Sequence, residues 1–444
     1  MANASDRARF FLEQSVPELQ ELLRKDIFTQ DEISAIAKKR SDFEHIINAR
    51  GAPASDYIRY VAYEQNVDAL KKKRIRRLGV KNFGYNGQRR TFFIFQRATR
   101  KHPGDLRLWM QYLDYTRSVR AHKRVGRILT DVLRLHPTEP SLWILAAKYS
   151  ADDQGEFNAA RSYFQRGLRF CPKEKQLWLE HCRLEMRYIA KTMDNIEGLG
   201  GNPRVAVSAT SSNGSTSQDG EAIGGNAEID ETTTPAIRTD KTALETLATT
   251  PALTGAIPIA IFDAAMQEFE DDAEFAEQLF DLITGFSHLT CCSKILKHIV
   301  HVLGRQVPAP AEWAICSFKL PLVGIETDSP KFPMALRHSL QLLRATIVQQ
   351  RKTKTRFSIA EKAALALLPL ALDDTIDEEL QQVISNVLKQ TVKIMGSTKA
   401  GDLINTLQAN KQLVEARMLL KFALKQDFSN QVLRSKYEEL ETTG

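Results

Sequence analysis

The chain has 444 residues, 43% of them hydrophobic, and 61 Lys and Arg against 54 Asp and Glu. At about 150 residues per domain that allows two or three compact units or one long array of repeats. No apolar run approaches the ~18 residues of a membrane-crossing helix, and the charges in MANASDRARF argue against a secretory signal. The five scattered cysteines (Cys171, Cys182, Cys291, Cys292, Cys316) argue against a disulfide framework and for a reducing compartment.

In chain order, Ala8–Arg24 has helical apolar spacing through Phe11, Leu12, Val16, Leu19 and Leu23. Thr29 and Glu32 form a capping box that opens a second helix through Ile33, Ile36 and Phe43. Residues 1–56 are therefore expected to be a helical cap or docking element. Tyr57 then begins a helix that ends in Lys71-Lys72-Lys73-Arg74-Ile75-Arg76-Arg77, and a further helix is expected over 88–102.

Past this point the sequence repeats. Trp109, Trp143 and Trp178 are spaced by 34 and 35 residues, and Pro103, Pro137 and Pro172 each stand six residues before a tryptophan. An apolar or small-residue ridge precedes each proline, at Phe95–Ala98, Leu129–Val132 and Phe164–Leu168. Each period reads as two amphipathic helices, A and B, with the tryptophan in A and the ridge in B. Proline cannot continue helix B and sets the turn into the next pair. One hairpin cannot bury its apolar face alone, so the units must stack. Tyr57 heads an earlier, degenerate unit, and the 57–190 region is expected to hold the N-terminal repeats. A glutamate seven residues past the marker is present as Glu185 but is replaced by Thr116 and Ser150 in the two middle units.

Residues 191–256 contain no Phe, Tyr or Trp and are rich in Ser, Thr, Gly and acidic residues. Such a composition cannot offset the cost of chain ordering, so a disordered insert is expected between the helices of the Trp178 unit. Worn copies of the pattern, including Glu312-Trp313 with Cys316 three residues on, point to degenerate repeats over 257–444.

No catalytic motif survives inspection, and no cofactor, metal or small-molecule substrate is called for. The densest metal-like cluster, Cys291-Cys292 with His298 and His301, lacks the ligand spacing of a zinc knuckle. Charge is the stronger feature. Residues 1–190 carry a net +14, and the rest of the chain −7. Lys71, Lys72, Lys73, Arg74, Arg76 and Arg77, together with Arg89, Arg90, Arg97, Arg100 and Lys101, are candidate contacts for RNA or an acidic protein. A solvated helix face and a nuclear import signal are the other readings of the same run.

The 34-residue period with Trp at the front of helix A and Pro after helix B resembles the half-a-TPR (HAT) repeat of RNA-processing proteins. The N-terminal stretches Phe10–Leu19, Lys39–Glu44 and Tyr57–Glu64 narrow the resemblance, as do Leu135–Lys148 and Ala160–Phe170. Together they resemble the family of U-three small nucleolar RNA-associated protein six, the HAT subunit of the UTP-B subcomplex. The resemblance implies an all-α, right-handed α-solenoid and a non-enzymatic scaffold of the small-subunit processome. It also implies WD-repeat propeller partners, proximity to pre-rRNA or the U-three snoRNP, a nucleolar location and no membrane partner. A HAT scaffold of mRNA splicing or 3′-end processing, and a direct RNA-binding module, are the alternatives. The tryptophans, the three prolines and Tyr57 are expected to be structural.

Overall fold

The computed structural model describes residues 4–80, 87–198, 253–306, 310–349, 353–373, 375–409, 412–426 and 437, and every regular element among them is helical. The chain divides after Ala146 into two compact units. The division falls inside a helix, away from the borders at 56, 190 and 256 that composition suggests.

The first unit runs through α1 (Ala4–Glu13), α2 (Val16–Arg24), α3 (Gln30–Asn48), α4 (Ala54–Leu78), α5 (Gly87–Lys101), α6 (Leu106–Ser118) and α7 (His122–Leu135) into the start of α8 (Pro140–Lys148). The single helix expected over 8–24 is broken at Gln14 and Ser15. Pro17 is tolerated only in a first helical turn, and the buried Ser15 hydroxyl closes the break by donating to Leu12 O at 2.7 Å. Thr29 and Glu32 make both halves of the capping box that starts α3. α4 stops at Gly79, whose φ of +65° favours glycine. Leu19, Leu22, Ile27, Phe28, Ile33 and Ile36 form a small core against Val67 and Ile75 of α4, sealing the start of the stack.

The geometry explains the sequence period. The indole N–H groups of Trp109, Trp143 and Trp178 donate to the carbonyls of Pro103, Pro137 and Pro172, each at 2.8 Å. The six-residue spacing is therefore the reach of an indole back to the turn before its own helix. Tyr57 does the same work differently, its hydroxyl donating to Ile47 O at 3.2 Å. A second contact recurs 14 residues before and three after the markers Tyr57, Trp109 and Trp178, where a ring of helix B stacks on a ring of the next helix A; at Trp143 the same positions hold Leu129 and Ala146. Phe95 and Tyr112 lie 4.9 Å apart at 14°, and Phe164 and His181 lie 5.3 Å apart at 19°. Phe43 and Tyr60 lie 5.0 Å apart at 10° in the same register. α3 is therefore the helix B of a further repeat, so the repeat array begins inside the segment expected to be a cap.

The second unit opens on the end of α8 and a π-helical turn over Tyr149–Asp153, then α9 (Phe157–Phe170) and α10 (Lys175–Gly198). α10 continues to Gly198, eight residues into the segment expected to be the insert, and α11 (Ala256–Glu268) packs against it. Residues 199–252, where most of the expected disordered segment falls, lie outside the described residues. α12 (Ala273–Thr284), α13 (Cys292–Gly304) and α14 (Ala311–Lys319) share a core of Phe262, Phe275, Phe280, Ile295 and Cys316. α15 (Phe332–Gln349), α16 (Thr353–Ala371), α17 (Glu378–Ala409) and α18 (Leu413–Gln426) form a second core, and Trp313 packs against both. α17 is kinked at Gly396, where φ is +78°. Neighbours in sequence are neighbours in space within each unit, as in a solenoid of stacked hairpins.

Candidate nucleic-acid interface

The basic run is helical to its end, and helical geometry divides it. At 100° per residue, Lys71, Arg74, Ile75 and Leu78 share one side of α4, and Lys72, Lys73, Arg76 and Arg77 share the other. The first side faces the N-terminal helices. Lys71, 4% exposed, lies 3.3 Å from Glu18 and 3.1 Å from Asp68. Arg74 grips Glu32 with two bonds of 2.6 and 2.7 Å, donates to Ile27 O, and covers the Phe28 ring at 4.6 Å.

α5 divides in the same way. Arg90 approaches Glu18 at 3.6 Å, and Arg97 holds Glu44 at 2.9 and 3.0 Å and Asn48 at 3.2 Å. Lys101 donates to the carbonyls of Ile47 and Ala49, both at 3.0 Å. Beneath them Arg40, 2% exposed, makes a bidentate pair with Glu64 at 2.8 and 2.9 Å. Burial would raise the Glu18 carboxyl, but Arg40, Lys71 and Arg90 around it outweigh that and hold it below the ordinary range. Asp68 is likewise raised by burial and lowered, on balance, by Lys72 and Lys71. Glu32 is brought down to about 2 by its hydrogen bonds from Arg74. These carboxylates are ionised at neutral pH and already neutralise the cations that face them. Drawing Lys71 or Arg90 toward an outside phosphate would strand buried carboxylates, a cost of several kcal/mol.

The eleven cations proposed from sequence therefore do not form one patch. Lys71, Arg74, Arg90, Arg97 and Lys101 fasten the N-terminal helices to the repeats. Lys72 is exposed but paired with Asp68 at 2.7 Å. Lys73, Arg76, Arg77, Arg89 and Arg100 are exposed and make no ion pair with any of the described residues. Reading the run as a block of charge missed this division: helical periodicity separates the two sides, and the carboxylates that the fold brings up decide which side is paired. Also missed were Arg134 and Arg169, exposed and, like Arg100, nine residues before a repeat tryptophan. An open groove of ≈800 Å³ crosses α4, α5 and α6, lined by Ile58, Gln65, Lys72, Gln111, Asp114 and Arg120 among others.

Trp109 and Trp143 are buried, Trp178 is half-buried, and all three indoles are committed to proline carbonyls. The five thiols are buried. Burial pushes Cys182 up to about 12 and Cys292 up to about 11, which leaves both as protonated core groups without nucleophilic character. His298 meets Asp263 at 2.7 Å rather than turning to a cysteine. Among the described residues no three His, Cys, Asp or Glu side chains gather as metal ligands, and no helix is long and apolar enough to cross a membrane.

Residues 12–100 match the sequence profile of the U3 small nucleolar RNA-associated protein 6 family. The chain is 35% identical over 202 residues to U3 small nucleolar RNA-associated protein 6 of Schizosaccharomyces pombe, a match covering 45% of this chain and 41% of that protein. It is 34% identical over 184 residues to the human homologue, covering 40% of this chain and 31% of that one. The matches thus span less than half the length of these relatives. A crystal structure of the P58(IPK) TPR domain aligns over 86% of this chain and 97% of its own at 12% identity, but its TM-score of 0.20 is too low to carry an argument.

Proposed function

From a chain whose N-terminal segment carries the sequence of the U3 small nucleolar RNA-associated protein 6 family, we propose a non-enzymatic scaffold of the small-subunit processome. In this reading the helical repeats hold neighbouring subunits in place, within the UTP-B subcomplex and beside its WD-repeat propellers, during maturation of the small-subunit rRNA. The nucleolus is the place where it acts. The single observation that carries the reading is the match over residues 12–100. It includes α2, which lies ahead of the repeat register, and so favours this reading over a scaffold of mRNA splicing or 3′-end processing. Stacked hairpins suit assembly, because each adds surface without altering its neighbours. The test is affinity purification of the tagged protein with identification of bound proteins and RNA. Recovery of processome WD-repeat subunits with U3 snoRNA or pre-rRNA is expected; recovery of splicing or polyadenylation factors in their place would refute the reading.

The unpaired cations favour a second element of the same function, direct contact with RNA. Among the described residues, Lys73, Arg76, Arg77, Arg89 and Arg100 have no carboxylate to release before meeting a phosphate. Binding of the purified protein to RNA should therefore weaken steeply with salt, by counterion release. Salt-independent binding, or none, would leave these residues as a solvated face.

A further inference from the structure

We propose that the outer face of α5, with Phe10 of α1, is a stacking site for unpaired bases of single-stranded RNA, flanked by Arg89 and Arg100 as phosphate contacts. This rests on the reading that the chain touches RNA, and goes beyond it by naming which surface does so and how.

Phe10 and Phe93 are large apolar rings left 57% and 37% exposed. Both abut Phe11, at 5.5 Å edge-on and 5.2 Å tilted. The Arg97 guanidinium lies 4.2 Å from the centre of the Phe11 ring and 5.3 Å from that of Phe93. Arg97 is itself fixed by Glu44 and Asn48. The rings are thus backed by a rigid, cationic floor, and the exposed faces need not be ordered on binding.

The charges are placed to match. Arg89 stands four residues before Phe93 and Arg100 seven after it, so both share its side of α5, roughly 6 Å and 10 Å away along the axis. Both are exposed and make no ion pair among the described residues. The nearby Glu13 carboxylate is engaged by Arg9 at 3.1 Å, and Glu44 is buried beneath Arg97. Solvent-facing aromatic rings with unpaired arginines on either side suit a ligand that has a π-face and a phosphate at every residue. Phe and Arg are also enriched in the cores of protein interfaces, so a protein partner is the competing outcome of the test, and the repeating pairing of ring with charge is what favours RNA.

The test uses the full-length purified protein, a labelled oligouridine, and an abasic oligonucleotide of equal length, each titrated over a range of salt. F10A/F93A should bind oligouridine about tenfold more weakly, with the salt slope and the binding of the abasic strand unchanged. R89Q/R100Q should weaken both ligands and reduce the salt slope by about 1.4, at roughly 0.7 per phosphate contact on a single strand. F10Y/F93Y should bind as wild type, which keeps the test valid if the alanine pair loses helicity. Salt-dependent RNA binding unaffected by F10A/F93A would overturn the stacking site and leave RNA contact standing. Absence of RNA binding by the wild type would overturn RNA contact itself. Loss of a co-purifying protein from F10A/F93A with RNA affinity intact would make this a protein-docking face and also overturn the proposal.

Discussion

The repeats marked by Tyr57 and Trp178 join their helices through an ion pair, and those marked by Trp109 and Trp143 do not. In the first kind an arginine 17 residues before the marker meets a glutamate seven after it: Arg40 with Glu64, and Arg161 with Glu185 at 2.6 and 2.8 Å. In the second kind those positions hold Phe92 and Thr116, or Gly126 and Ser150. Phe92 packs on Tyr115 at 5.2 Å, and Thr116 turns its hydroxyl back to Tyr112 O at 2.7 Å. The two positions change together because either residue alone would be a buried charge without its partner. The missing glutamates of the middle repeats are thus half of a paired exchange.

The largest effect should come from breaking one side of the more deeply buried pair. Arg40→Ala leaves Glu64 and part of the Glu18 charge uncompensated in the core, and should cost about 3–5 kcal/mol in chemical denaturation. Arg40→Met with Glu64→Leu should recover most of that loss, since an apolar pair resembles what the middle repeats already use. A double variant as unstable as the single one would show that the slot requires charge.

Next, the tryptophan latch is common to both kinds of repeat. Trp143→Ala should cost about 3–5 kcal/mol, as a buried large-to-small change does. Trp143→Phe keeps most of the ring but loses the bond to Pro137 O, and should cost about 1–3 kcal/mol. Equal stabilities for wild type and Trp143→Phe, measured by thermal melting, would mean that the bond contributes nothing.

Acid should separate the two kinds of repeat as well. Burial among the Trp178 repeat's helices pulls His181 down to about 4 from an ordinary 6.5. Between those values the unfolded chain holds a proton that the folded chain lacks, so stability rises with pH through this window and is flat above it. The lowered carboxylates Glu18, Asp68 and Glu32 contribute stability above their ordinary range near 4 and lose it as pH falls through their depressed values. The slope between about pH 4.5 and 6.5 therefore reports on His181. His181→Phe, which keeps the stack on Phe164, should flatten it; an unchanged slope in urea midpoints would assign the proton to another group.

The smallest effect is a gain. A Cβ built on Gly126, which stands where the paired repeats carry arginine, meets nothing within 4 Å. Gly126→Ala within α7 should stabilise the protein by about 0.5–1 kcal/mol, read as a higher urea midpoint. A loss would show that the open slot needs to remain open.

Much of this fold is legible in the chain itself. The marker spacing, the proline turns and the capping box are local, and local geometry converts them directly into helices and hairpins. The N-terminal motifs likewise carry the family resemblance without help from packing. The entry of α3 into the repeat register and the pairing of Arg40 with Glu64 are different in kind. They depend on which residues meet across 17 and 24 positions, and the residues of one helix alone do not contain that information. The same holds for the candidate interface. Lys71 and Lys73 are identical in sequence terms, yet one lies between Glu18 and Asp68 and the other faces solvent. Charge is a property of the residue, whereas the freedom to use it for a partner is decided by the carboxylates that the fold brings within reach.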